Sequence, residues 1–178
     1  MAEEKKETWL TYLAMTTIIL AVAATLSTFR GQGSSTKSVL NSIGASNQWS
    51  YFQSKKIRGY MFEMQKELLE TELKLKGPKA SPEERAELQK VIDSFSNKIQ
   101  KWDADRDEIE QKARQHENNR DQFILHGQAF GYAVIFLQMA ILLSSIAALM
   151  KKKSIWVAGL VVGAAGMVAF ANGFWLFL

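Results

Sequence analysis

Ala140-Ile141-Leu142-Leu143-Ser144-Ser145-Ile146-Ala147-Ala148-Leu149-Met150-Lys151-Lys152-Lys153-Ser154-Ile155-Trp156-Val157-Ala158-Gly159 decides the fold, because two apolar runs meet there at a single knot of lysines. Outward from it, residues 123–150 and 155–178 contain no Asp, Glu, Lys or Arg, and neither do residues 9–29. Each run is long enough for a helix of about 20 residues to cross a hydrocarbon core ~30 Å thick. Three transmembrane helices are therefore expected, with Trp9 and Tyr12 at one interface and Trp156 and Trp175 near the ends of the third. The competing reading of the first run is a secretory signal peptide cleaved at Ala21-Val22-Ala23. Against it, Glu3, Glu4 and Glu7 make the leading segment acidic.

The mean hydropathy of -0.11 conceals this division, because it averages three apolar spans with one highly charged insert. Orientation follows from the positive-inside bias. The lysine knot is the whole connection between the last two spans, so Lys151-Lys152-Lys153-Ser154 is expected in the cytoplasm, with the N-terminus beside it and the insert outside. Arg30, Lys37, Lys112, Arg114 and Arg120 flank the insert and pull the other way.

Between the first two spans the sequence predicts two helices around a tip. Gly31-Gln32-Gly33-Ser34-Ser35 is expected to break the chain, after which a helix runs from about Lys37 to Lys76 and stops at Gly77-Pro78. Ser81-Pro82-Glu83-Glu84 restarts it, with Ser81 as N-cap, Pro82 in the first turn and Glu84 as capping-box partner. No glycine or proline follows until Gly127, so the second helix is expected to enter the membrane unbroken. The expected fold class is an all-α membrane protein in which an antiparallel, coiled-coil-like hairpin with arms of ~60 Å projects from the bilayer. Its segments are 1–30, a cytoplasmic N-terminus and first span; 31–122, the hairpin with its tip at 77–81; 123–150, the second span; 151–154, a cytoplasmic loop; and 155–178, the third span.

Steps of four and three on the second arm mark a seam through Leu88, Ile92, Phe95, Ile99, Trp102, Arg106, Ile109, Ala113 and His116. The matching set on the first arm is Ile57, Met61, Met64, Leu68, Thr71 and Leu75, continuing toward the membrane as Ser54, Ser50 and Asn47. The seam is thus expected to be apolar near the tip and polar at its base, where Asn47, Ser50, Ser54, Arg106 and His116 fall. Charge divides similarly. Thr8 to Phe62 holds no acid, whereas Trp102 to Asp121 holds seven acids against four Lys and Arg. Folding the arms together sets Lys55, Lys56 and Arg58 beside Asp103, Asp105 and Asp107, which selects register although each exposed pair is worth only about 0–1 kcal/mol.

Sharper chemistry finds little support. Asp103, Asp105 and Asp107 echo a calcium loop, but Glu108 stands where that loop needs glycine and Arg114 where it needs glutamate. His116 and His126 are too far apart along a helix to form a metal pair. Aromatics and bases mix at 49–58 as in nucleic-acid sites, yet a membrane-tethered hairpin outside the cytoplasm points to packing or lipid headgroups instead. With no cysteine, nucleophile–base pair or phosphate loop, no catalytic residue, cofactor, metal or nucleic-acid partner is expected. Inside the bilayer, Gly159 and Gly163 fit a close-packing motif extended by Gly166, and Gly127 with Gly131 repeats the spacing; this is the expected assembly interface. Gln138 and Asn172 add neutral polar groups, and no ionisable side chain at membrane depth supplies a proton relay.

The stretch Ala45-Ser46-Asn47-Gln48-Trp49-Ser50-Tyr51-Phe52-Gln53-Ser54-Lys55-Lys56-Ile57-Arg58, placed after one span and before two more, resembles a family of small bacterial inner-membrane proteins known only as a domain of unknown function. The resemblance implies a multi-pass protein of the bacterial inner membrane and transfers no activity or ligand. With the positive-inside reading it puts the hairpin in the periplasm. The expected role is structural: a homo-oligomer, or a small subunit of a larger membrane complex, in contact with membrane lipid. The alternative is an oligomeric channel with a polar vestibule at the base of the hairpins.

Overall fold

The computed structural model describes residues 2–76 and 81–177, with side chains from Thr8 onward. Three helices and no strand make up these residues: α1, Ala2–Lys76; α2, Pro82–Met150; and α3, Lys153–Trp175. Each is long and apolar enough to cross a membrane. The expected tip lies outside the described residues apart from Ser81, where the capping box is complete: Ser81 N–H donates to Glu84 Oε2 at 2.9 Å and Glu84 N–H to Ser81 Oγ at 3.2 Å. The chain divides into two compact units, Met1–Leu40 with Asn119–Leu178, and Asn41–Asn118.

The expected break at Gly31-Gln32-Gly33-Ser34-Ser35 does not occur, since α1 runs through it. Close packing replaces local propensity there. A Cβ at Gly31 would lie 3.4 Å from Phe130 Cβ and 3.9 Å from the Gly127 carbonyl, and Thr36 Oγ1 donates to the Gln32 carbonyl at 3.0 Å. A helical glycine costs only ~1 kcal/mol relative to alanine, so packing at Gly31 and the long helix on either side carry α1 through the stretch, including Gly33, which has nothing within 4 Å of it.

In the first unit, small side chains let three helices meet. Leu20, Ala23, Ala24, Ala133, Leu137 and Ala140 form its buried core, with Val162, Ala169 and Phe170 packed against it. The glycines of α3 are filled from the same chain. A Cβ would meet Leu143 at 3.2 Å from Gly159, Leu20 at 3.0 Å from Gly163, and both the side chain and backbone of Leu137 at 2.9–3.0 Å from Gly166. The face assigned to assembly on α3 is therefore occupied within one chain, because only glycine lets α1 and α2 come this close. Gly127 likewise faces Ser34 at 3.7 Å, while Gly131 has nothing within 4 Å.

The connection between α2 and α3 is shorter than 151–154, because α3 begins at Lys153. Lys151 adopts φ 55°, its N–H reaches Ala148 O at 3.3 Å and Lys152 N–H reaches Ala147 O at 3.1 Å. This is a Schellman cap with lysine in the position usually given to glycine.

In the second unit α1 and α2 pack side by side. Ala45, Ile92, Ile109 and Ala113 are buried, and Phe62 meets Phe95 with ring centroids 5.8 Å apart. Gly59 is also buried, and a Cβ there would stand 2.8 Å from Trp102. Glycine is thus required where α1 passes the indole.

Candidate interaction surface

The side of α1 that meets α2 differs from the heptad expectation. Ala45, Trp49, Phe52, Lys55, Gly59 and Phe62 are turned toward α2, whereas Ile57, Met61, Met64, Leu68 and Leu75 are exposed, Leu75 at 81% and Leu68 at 63%. The physical reason is size. Trp102 and His116 on α2 need glycine or alanine opposite them, and Gly44, Ala45 and Gly59 supply it; a Cβ at Gly44 would lie 2.8 Å from His116 Nδ1. Bulky side chains at helical spacing drew attention to the wrong face. The signal that would have found the right one is the pair of glycines, Gly44 and Gly59, about four turns apart and each opposite a ring, His116 and Trp102.

Polar chemistry between the helices is concentrated at few points. Lys55 Nζ donates to Asp105 Oδ2 at 2.7 Å, and the ammonium also stands 5.2 Å from the Tyr51 ring centroid and 5.9 Å from that of Trp102. The hydrogen bond from Lys55 holds Asp105 below its ordinary value, helped by the ammonium charge. The same bond, opposed by partial burial, raises Lys55 above its ordinary value. Trp49 Nε1–H donates to Glu117 Oε1 at 2.9 Å, and His116 Nδ1–H donates to Asn41 Oδ1 at 3.1 Å.

The remaining sequence-derived residues fall elsewhere. Lys56 lies over Tyr60 at 5.6 Å, Arg58 and Asp103 are exposed, and Asp107 pairs with its neighbour Arg106 at 3.4 Å. Of the three bases and three acids expected beside one another across the helices, the structure brings together Lys55 and Asp105. The polar seam is also redistributed. His116 is half-buried against α1, Arg106 is exposed, and Asn47, Ser50 and Ser54 are exposed. They share the outward row of Ile57, Met61, Met64, Leu68, Thr71 and Leu75.

That row is the candidate surface. From Ile43 through Asn47, Ser50 and Ser54 to Leu75 it repeats in steps of four and three, and Tyr51 and Tyr60 flank it, about half exposed. The outward side of α2 is the opposite in character. Among described residues 82–118, Val91 is the one large apolar side chain left exposed. Polar and charged residues make up the rest, and ion pairs lie among them, with Lys112 on Glu108 at 2.6 Å and Arg114 on Glu110 at 2.8 Å. A charged face is satisfied by water, whereas Ile57, Met61, Met64, Leu68 and Leu75, left exposed in the part of the row nearer the end of α1, are an apolar stripe that makes this row a candidate contact surface. Among the described residues no group of three or more His, Asp or Glu could hold a metal ion.

Comparison with known proteins gives one match. The family model described as Domain of unknown function (DUF4337) matches residues 9–176. No curated protein and no solved structure matches the chain.

Proposed function

We propose, for a chain that belongs to the family described as Domain of unknown function (DUF4337), a role as a self-assembling membrane scaffold. In this reading the three apolar helical segments cross the bacterial inner membrane, and residues 41–118 form an antiparallel hairpin on its periplasmic side. Copies associate side by side through the outward row of α1. The observation that carries it is the exposed row from Ile43 to Leu75 at a mean step of 3.5 residues, the period of a left-handed coiled coil.

A second copy is the fitting occupant because the row is complementary to itself and the outer side of α2 is charged. Ile43, Ile57, Met61, Met64, Leu68 and Leu75, with Tyr51 and Tyr60, each offer roughly 100 Å². Two facing rows would remove on the order of 1,600 Å², within the range of stable interfaces. Membrane insertion gives every copy the same orientation, so the two α1 helices run parallel and in register. Asn47 then faces its twin at an a position, an arrangement that fixes register and strand number at some cost in stability.

Because the chain has no cysteine, single-cysteine variants test both parts of the proposal in cells. Met64→Cys on the row should form a disulfide-linked dimer, and Glu108→Cys on the outer side of α2 should not. A membrane-impermeant thiol reagent should label Glu108→Cys and spare Ser154→Cys. Equal cross-linking at 64 and 108 would sink the assembly, and the reverse labelling pattern would put the hairpin in the cytoplasm.

A further inference from the structure

Within the second unit, a cavity of about 280 Å³ opens where α1 passes Trp102. The contacts around it step in opposite directions along the two helices: Lys55 pairs with Asp105, Gly59 abuts Trp102, and Lys98 lies over the Phe62 ring. In that register Arg58 of α1 and Lys101 of α2 fall at one level, and both line the cavity. Lys55 and Lys98 line it as well, and Asp105 is the one carboxylate among its lining residues. That carboxylate is already engaged. The Lys55 hydrogen bond and charge, and last the Lys101 charge, hold it below its ordinary value. The Lys98 ammonium stands 5.3 Å from the Phe62 ring centroid and 5.2 Å from that of Phe95, and an aromatic face attracts a cation without neutralising it. Four cations against one carboxylate leave an excess of three positive charges around a single opening.

Like charges held at one level repel, the more so beside an apolar wall, and an anion placed between them turns the repulsion into attraction. A cleft lined by one sign of charge also raises the local concentration of counter-ions. We propose that this cavity binds a soluble phosphate ester. Arg58 grips the phosphate oxygens through paired N–H groups, and Lys101 adds a point charge from the other helix. The organic body of the ester lies on Trp102 and Phe62, both half-buried, which form the apolar floor. The Lys55–Asp105 pair closes one end and keeps its own partnership. All the lining residues belong to the charged insert and none to the apolar runs 9–29 and 123–150, which favours a soluble ester over a lipid headgroup. Neither membrane insertion nor self-association is needed for this site.

Phenyl phosphate is the probe, titrated into the full chain in mild detergent by isothermal calorimetry beside inorganic phosphate. It should bind at least about tenfold more tightly than inorganic phosphate. Arg58→Gln with Lys101→Gln should weaken it at least about tenfold, while the melting temperature without ligand holds or rises because the repulsion is gone. Lys74→Gln with Lys112→Gln removes the same charge elsewhere in the second unit and should leave binding unchanged. No binding by the wild-type chain would overturn the site. Equal losses in the two double variants would do so too, since they mark diffuse attraction to a basic surface. A fall in the melting temperature of the Arg58 and Lys101 variant would make those cations structural and overturn the proposal. Inorganic phosphate that binds as tightly as the ester would remove the aromatic floor from the site and overturn the ester assignment. Short-chain phosphatidic acid that displaces phenyl phosphate at a lower concentration than phenyl phosphate itself needs would show a lipid headgroup site and overturn the soluble one.

Discussion

The two compact units solve helix packing in opposite ways. In the first, three helices meet through glycine and alanine, and Leu20, Leu137 and Ala140 fill the space that α3 leaves by lacking side chains at Gly159, Gly163 and Gly166. In the second, two helices meet through the rings of His116 and Trp102 set over Gly44 and Gly59, and Lys55 pairs with Asp105 across them. Three helices can enclose a core. Two cannot, so whatever lies on their outer sides stays in contact with solvent or with another molecule. The second unit accordingly keeps its apolar surplus on one side of α1 and covers α2 with charge.

The largest expected difference between the units lies in what a glycine tolerates. Gly166→Leu would drive a side chain into the side chain and backbone nitrogen of Leu137, and backbone has nowhere to go. It should cost about 3 kcal/mol. Gly131→Leu on α2, with nothing within 4 Å, should cost nothing and gain up to about 1 kcal/mol from the better helix propensity of leucine. Thermal unfolding of the two variants in the same detergent is the measurement. Equal losses would show that close approach of helices is not what holds the first unit together.

Much of this was legible in the chain and some was not. The three apolar segments and the capping box at Ser81 follow from composition and local chemistry, whereas the charge blocks offered three bases and three acids without saying that Lys55 would meet Asp105. The continuity of α1 through Gly31 and Gly33 did not follow, because the compensating contacts with Phe130 and Gly127 come from residues about a hundred positions away. The facing side of α1 was misread for a related reason. Periodicity finds apolar rows, and α1 carries one outward row of Ile, Met and Leu and one inward row that includes Gly and Ala. Which row turns inward is decided by Trp102 and His116 on the other helix. The assembly face was sought on glycines, but glycine marks close approach without saying whose helix approaches.

A medium effect tests how much the second unit depends on its ion pair. Asp105 is held below its ordinary value, so its contribution is present above the unfolded-state value and lost as pH falls through the folded one. Lys55 is raised, so its contribution is complete below its unfolded-state value and lost as pH rises through the folded one. The pair is therefore intact across the neutral range and fails at both ends. With the two side chains 25% and 42% exposed, water screens the pair and its contribution is small. Lys55→Glu should lower hydrogen-exchange protection across residues 41–118 and leave the first unit unchanged. Adding Asp105→Lys should restore it. No recovery in the double variant would mean that the aromatic contacts of Lys55, and not its charge, hold the two helices in register.

The smallest expected effect sits at the turn of the first unit, and its direction is opposite. Where α2 begins, Ser81 and Glu84 satisfy each other's backbone groups, so little remains to be improved. Where it ends, Lys151 occupies the left-handed region at φ 55°, which costs a residue with a Cβ about 1–2 kcal/mol. Lys151→Gly removes that strain but gives back about 0.5–1 kcal/mol through the greater freedom of glycine in the unfolded chain. The net should be a gain of roughly 0.5 kcal/mol, read as a small rise in melting temperature. Lys152 and Lys153 remain to keep the connection basic, so thiol labelling at position 154 should not change. Lys151→Ala separates the backbone effect from the lost charge, because it removes the ammonium and keeps the strained Cβ. If alanine stabilises as much as glycine does, repulsion among the three lysines and not the backbone is the cost at this turn.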